Sequence, residues 1–311
     1  MKLRMREKKY LLSGRHHFFT SRMLILTAIL FFAVLAGILF SIRRSHSAIP
    51  PTSALYSAWK SGDYQTVYDK SAIILSARPL DGVVLSLHGF SAYYLYSAQT
   101  DPSVAQNYLG STITSLRNAW YRVSDSEKPR LAYILGKAYY QRGYYYADLS
   151  AHYLGYAHDA GLKFADLDEF RGLAASQLAD YETAISAFTE ALSSNPSDLL
   201  LFTLAQNYQK AGDTAKSKQY ILETMRTTGD ELLQLKCHYE LGSVLLAEQN
   251  YDGARAEFDA ILEKDPNSAD AHYGLGVIYE TQGDLIRARA EWRRAIKINP
   301  VHSGARSKLE I

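Results

Sequence analysis

The chain has a single cysteine among 311 residues. Cys237 has no partner for an intramolecular disulfide, so cysteine usage leaves the compartment open. Also missing are a glycine-rich phosphate loop, a zinc-ligand spacing and a nucleophile signature, so no cofactor, metal or catalytic set is implied. Strand-like alternation is absent beyond residue 51, which excludes a sheet-based body. Acid is nearly missing from one end. Residues 1–44 hold nine Lys/Arg and only Glu7, a net charge of +8, which leaves 25 basic and 31 acidic side chains in the remainder. A basic tail ahead of a mildly acidic body argues against nucleic acid as a target.

What is present begins with a long apolar run. Met23–Ile42 is 20 residues with only Thr27 and Ser41 polar. As a helix it would span roughly 30 Å, the hydrocarbon thickness of a bilayer. Arg22, Arg43 and Arg44 bracket it, and the cations of the preceding tail predict a cytoplasmic N-terminus with the body outside the cytoplasm. The alternative is a cleaved signal peptide using Ser45 and Ser47, but Arg43 and Arg44 intervene. No cysteine follows the run, which argues against a lipoprotein. Ala33, Gly37 and Ser41 recur every four residues, a spacing that would let a second membrane helix approach and form a homodimer; ordinary small residues in a membrane helix are the plainer reading.

Beyond the run, the strongest pattern is a period of 34. Leu241-Gly242 is answered by Leu275-Gly276, Ala254 by Ala288, Phe258 by Trp292 and Pro266 by Pro300. A fixed period of this length marks a solenoid of stacked units, none of which buries its apolar face alone. Residues 269–302 carry the clearest unit, with helices expected over about 269–282 and 285–298 and a turn at Gly283-Asp284. Leu275, Gly276, Tyr279, Gly283, Ala288, Trp292, Ala295 and Pro300 resemble the tetratricopeptide repeat. Residues 235–268, 198–234 and 165–197 resemble it too, with Arg171 in place of the usual Leu, three residues added within 198–234, and Ser217, Ile221 and Thr224 where other types are usual. Residues 129–163, 82–128 and 48–81 are looser: Gly136 and Tyr139 keep the pattern, which is lost after Tyr144-Tyr145-Tyr146, while Asp101-Pro102 reads as a helix start. That makes seven units.

The resemblance implies an all-α, right-handed superhelix of helix-turn-helix repeats behind one N-terminal transmembrane helix. The expected layout is a basic cytoplasmic tail (1–22), a signal anchor (23–42), a linker (43–51), degenerate Tyr-rich repeats (52–164), regular repeats (165–302) and a capping helix (303–311). It also implies a protein-binding groove lined by the first helix of each repeat. Carried onto this sequence, its positions are Tyr133, Lys137, Tyr140, Glu169, Phe202, Gln206, Gln209, Tyr239, Ser243 and Tyr273. Co-chaperone members grip a terminal carboxylate with Lys at the fifth and Asn at the ninth position of one helix; Phe202/Gln206 and Tyr239/Ser243, like the other pairs, do not fit. Tyrosine is abundant: 13 of 24 lie between Tyr93 and Tyr156, suited both to packing and to contact surfaces. His238 and His272 are 34 apart, which the period alone produces. Arg287, Arg289, Arg293, Arg294 and Lys297 make the last second helix basic, either a solvated end cap or a docking patch.

The functional expectation is a scaffold in a bacterial envelope, single-pass in the inner membrane with its groove facing the periplasm. It would bind an envelope or secreted protein or peptide, touch the lipid bilayer through residues 23–42, and perform no catalysis. The alternatives are an assembly factor that bridges two complexes and, less favoured, an enzyme that uses the groove.

Overall fold

A computed structural model describes residues 30–32, 34, 35 and 49–310. It falls into two units, residues 1–79 and 80–311, and no strand occurs among the described residues. In the first unit, α1 (Thr52–Lys60) and α2 (Tyr64–Ala77) form a hairpin. Leu55, Val67 and Ile74 are fully buried, and Trp59 meets Tyr64 edge-on at 5.2 Å.

The second unit is a run of helix pairs. They are α3 (Gly82–Ala98) with α4 (Pro102–Trp120), α5 (Lys128–Arg142) with α6 (Ala147–Asp159), α7 (Leu167–Gln177) with α8 (Tyr181–Ser194), α9 (Asp198–Lys210) with α10 (Thr214–Thr227), α11 (Glu231–Ala247) with α12 (Tyr251–Lys264), and α13 (Ala269–Thr281) with α14 (Leu285–Ile298). A short α15 (Ser303–Leu309) packs on α14. First helices also meet across repeats, α3 on α5, α5 on α7, α9 on α11 and α11 on α13, so they share one face.

The turns explain why each pair closes where it does. A residue in the left-handed region, Ala179, Gly212, Gln249 or Gly283, ends the first helix. The next residue, Asp180, Asp213, Asn250 or Asp284, then caps the second by accepting from a backbone N–H three residues on. Gly283 meets the left-handed requirement without strain, whereas Ala179 at φ 58° holds it with a side chain attached.

Close approach within a pair is set by one slot. A Cβ on Gly276 would lie 2.4 Å from Trp292 Nε1, and one on Gly242 would lie 2.8 Å from Phe258 Cε1. Gly172 and Gly136 meet Phe188 and Leu154 in the same way. In α9 the slot holds Ala205, and the residue sixteen further on is Ile221 rather than an aromatic. Both are buried in one cluster, so the extra methyl on one side is matched by the smaller side chain opposite. Ile221 in the irregular second helix of that repeat is thus volume compensation.

The earlier pairs differ in length and filling. α3 and α4 have 17 and 19 residues. After α5, Gly143 at φ 97° opens a 3-10 turn over Tyr144–Tyr146 that displaces the start of α6 and breaks the 34-residue register. Trp120, Tyr139, Tyr146, Tyr153 and Tyr156 fill the space so created, Tyr139 and Tyr153 stacking at 5.8 Å.

One expectation is corrected. Among the described residues no helix is long and apolar enough to cross a membrane. Most of the anticipated anchor, residues 23–42, lies outside the described residues, as do Ala33, Gly37 and Ser41 of the dimerisation stripe. What the structure supports is a body of helical repeats. The single-pass, periplasm-facing placement and the lipid contact that rested on the anchor are withdrawn.

Candidate functional site

Three first helices, α9, α11 and α13, enclose a cavity of about 510 Å3 on their shared face. Phe202 and Gln206 reach it from α9, and Tyr239 from α11. Gln206 Nε2 donates to Glu240 Oε1 at 2.7 Å, which ties the two helices at the cavity wall. Burial, with the Asp270 and Glu240 carboxylates nearby, pushes the Tyr239 hydroxyl up to about 12, so it is neutral at physiological pH. Leu199 and Leu232 line the same cavity and are each 61% exposed.

Several of these residues were not singled out in the sequence. Leu199, Lys236 and Asp270 are the second residues of the repeats 198–234, 235–268 and 269–302, so the 34-residue period itself places them alike. Leu232 had no such signal. The three residues added within 198–234 start α11 one turn early, behind an Asp230 cap, and so carry Leu232 to the cavity.

The remaining candidates lie elsewhere. Tyr133, Lys137 and Tyr140 of α5 are taken up by the chain itself. The Tyr133 ring stacks on Phe164 at 4.6 Å and 12°, and its hydroxyl donates to Asp166 Oδ1. Lys137 Nζ lies 2.5 Å from Asp166 Oδ2 and rests over the rings of Phe170, Tyr133 and Tyr93 at 4.6, 5.0 and 5.6 Å. Tyr140 meets Phe170 edge-on at 5.5 Å. Burial and Asp166 hold the Tyr133 hydroxyl well above the usual phenol range. Glu169 and Gln209 stand half-buried on α7 and α9, outside the cavity. Ser243 Oγ donates back to the Tyr239 carbonyl at 2.9 Å. Tyr273 is covered by the start of α15: its ring lies 5.0 Å from that of His302, and a Cβ on Gly304 would lie 2.8 Å from it.

On α14 all five basic residues are exposed. Arg287 pairs with Asp284 at 2.6 Å and Arg294 with Glu291 at 2.6 Å. Arg294 and Lys297 also line a second cavity, of about 530 Å3, with His272. His238 and His272 play one structural part in successive repeats, their Nδ1 atoms lying 2.6 and 2.7 Å from Glu257 and Glu291 on the partner helix. Cys237 is fully buried, and burial pushes its thiol up to about 12, as befits a packing residue.

Metal-type donors converge at one place among the described residues, where His158, Asp168 and Glu190 bring ligand atoms within 4.8 Å of one another. The space between them belongs to Arg171. Its Nη1 lies 3.0 Å from Asp168 Oδ1, 3.1 Å from His158 Nδ1 and 3.5 Å from Glu190 Oε1. A guanidinium that already neutralises both carboxylates makes this an ion-pair network rather than a cation site. It also gives a reason for arginine where the repeat usually has leucine.

Models of the tetratricopeptide repeat match residues 170–198 and 239–303. No curated protein matches the chain. Among solved structures, the C-terminal part of a TPR repeat-containing protein from Cytophaga hutchinsonii superposes with a TM-score of 0.53 at 13% identity, over 83% of this chain and 98% of that one. YrrB, described as a TPR protein with an unusual peptide-binding site, gives 0.46 at 19% identity over 63% and 98%. MamA from Desulfovibrio magneticus RS-1 gives 0.48 at 15% identity over 57% and 98%. Residues 170–198 and 239–303 thus match the tetratricopeptide repeat, and the chain shares the all-α repeat fold of the Cytophaga hutchinsonii structure.

Proposed function

We propose that this chain is a protein-interaction scaffold that holds a segment of a partner protein in the cleft between α9, α11 and α13, without chemistry of its own. The observation that carries this reading is the cavity itself. Repeats of this family serve protein–protein interaction, and here one stretch of the first-helix face leaves Leu199 and Leu232 uncovered beside Phe202 and Tyr239. Covering both leucines with a partner would contribute roughly 1 kcal/mol each. Gln206, Thr203 and Ser268 supply polar groups at the rim for the partner's backbone.

A second reading is favoured by the cavity beside α14. A scaffold with an apolar cleft on its first-helix face and a basic surface on its last second helix has two faces with which to bridge two proteins.

Site-specific photocrosslinking in cells that express the full chain tests both. A photoreactive residue at Leu199 or Leu232 should trap a protein that one at the exposed Lys210 does not. Adducts of a second protein from Arg294 would establish bridging. Adducts from Arg294 with none from either leucine would remove the cleft as the binding face.

A further inference from the structure

The cleft has a sign as well as a shape. Three carboxylates, Glu240, Asp265 and Asp270, line it against the single ammonium of Lys236. They come from three different elements, the middle of α11, the C-cap of α12 and the start of α13, so the charge is not confined to one helix. None of the three is buried, and Asp270 is 65% exposed where it pairs with His302 Nε2 at 3.0 Å. The apolar walls, Leu199 and Leu232, stand on α9 and α11 at the first turns, within the same 510 Å3.

Resting on the proposed binding function of this cleft, we infer that its occupant is a basic segment of a partner protein: an aliphatic or aromatic side chain that sits against Leu199, Phe202 and Leu232, flanked by Lys or Arg that face Asp265, Asp270 and Glu240. Charge complementarity decides between the peptide classes an apolar cleft would otherwise accept. An acidic flank would bring like charges together in a recess only partly open to water, where repulsion is screened less than on a flat surface. Lysine and arginine also lay their methylene stems along apolar walls while the charged head reaches out to a carboxylate, which suits a recess lined by both leucines and carboxylates.

The test uses the full chain and three fluorescein-labelled nonapeptides read by anisotropy: a central Leu-Leu flanked by lysines, the same core flanked by glutamates, and the same core flanked by serines. The lysine-flanked peptide should bind most tightly and weaken as salt rises from 50 to 500 mM. The doubly neutralised chain D265N/D270N should bind it about tenfold more weakly, the scale of two partly screened pairs. A Leu232→Ser chain should weaken the lysine- and serine-flanked peptides alike. Thermal melts that match the unsubstituted chain would show that both variants fold. Equal binding of the glutamate-flanked peptide, or an unchanged affinity in D265N/D270N, would overturn the basic class while leaving the cleft as the site, provided Leu232→Ser still weakens binding. Binding that neither variant alters would remove the cleft as well.

Discussion

Between α5 and α7 the first-helix face is filled by the chain's own side chains, whereas between α9 and α13 it is left open. The geometry of the two stretches is alike: Gly136 meets Leu154, and Gly242 meets Phe258, in the same close slot. What differs is the connection that follows the second helix. After α6 the chain carries Phe164 and Asp166 back onto α5, where they occupy Tyr133 and Lys137. After α10, Thr228 and Asp230 instead extend α11 by a turn and bring one more leucine to the face. The period sets where helices lie, and the joints decide whether a surface is spent internally or offered to a partner.

The pair that precedes the filled stretch, α3 with α4, buries several polar side chains. His88, Ser91, Thr112 and Ser115 are buried in α3 and α4, and His88 Nδ1 lies 3.0 Å from Ser115 Oγ. Burial pushes the His88 imidazole down to about 4, against 6.5 for a free side chain. Between these values the unfolded chain binds more protons than the folded one, so stability falls as pH drops from 6.5 toward 4. The loss is about 2 kcal/mol at pH 5 and about 3 kcal/mol at pH 4. Thermal melts from pH 7 to 4 should show this decline, and His88→Gln, which keeps a polar partner for Ser115, should flatten it. An equal slope in the variant would mean that His88 does not carry the acid sensitivity.

Asp166 tests the sealed face more directly. Lys137 is only 12% exposed, so Asp166→Ala would leave an enclosed ammonium and the Tyr133 hydroxyl without their acceptor, at a cost of about 2 kcal/mol. Lys137→Met removes the charge but keeps a chain to pack on Phe170, and Asp166, 36% exposed, still reaches water; this should cost less than about 1 kcal/mol. Urea titrations of both variants check the order. If Lys137→Met is the more damaging, the contact is held by the cation over the rings rather than by the carboxylate.

The regular half of the fold was legible because its packing is local in sequence: a small residue, a bulky one sixteen later, a left-handed turn residue and a cap. Even the departure at Ile221 follows from Ala205. The cleft was legible in part. Phe202, Gln206 and Tyr239 came from a positional rule, and the structure has them along one cavity. The same rule also led to Tyr133, Lys137 and Tyr273, which are occupied by Asp166, Phe164 and α15. It describes a repeat with neighbours of its own kind and is blind to a long joint or an array end. Nothing periodic marks Asp166, which lies 33 residues from the Tyr133 it binds.

The smallest expected effect separates the two faces best. Asp270 in the open cleft is the counterpart of Asp166 in the filled one, a carboxylate on the first-helix face paired with a cation-forming side chain, His302. Its exposure and the high dielectric around it make that pair worth little to the fold, so Asp270→Asn should shift stability by less than about 0.5 kcal/mol. Differential scanning calorimetry at pH 7 on Asp270→Asn and Asp166→Ala side by side measures the contrast. A carboxylate that costs nothing to neutralise is free to serve a ligand, whereas one the fold depends on is not. Should Asp270→Asn prove as destabilising as Asp166→Ala, the cleft would be structural like its counterpart, and the distinction between a spent face and an offered one would fail.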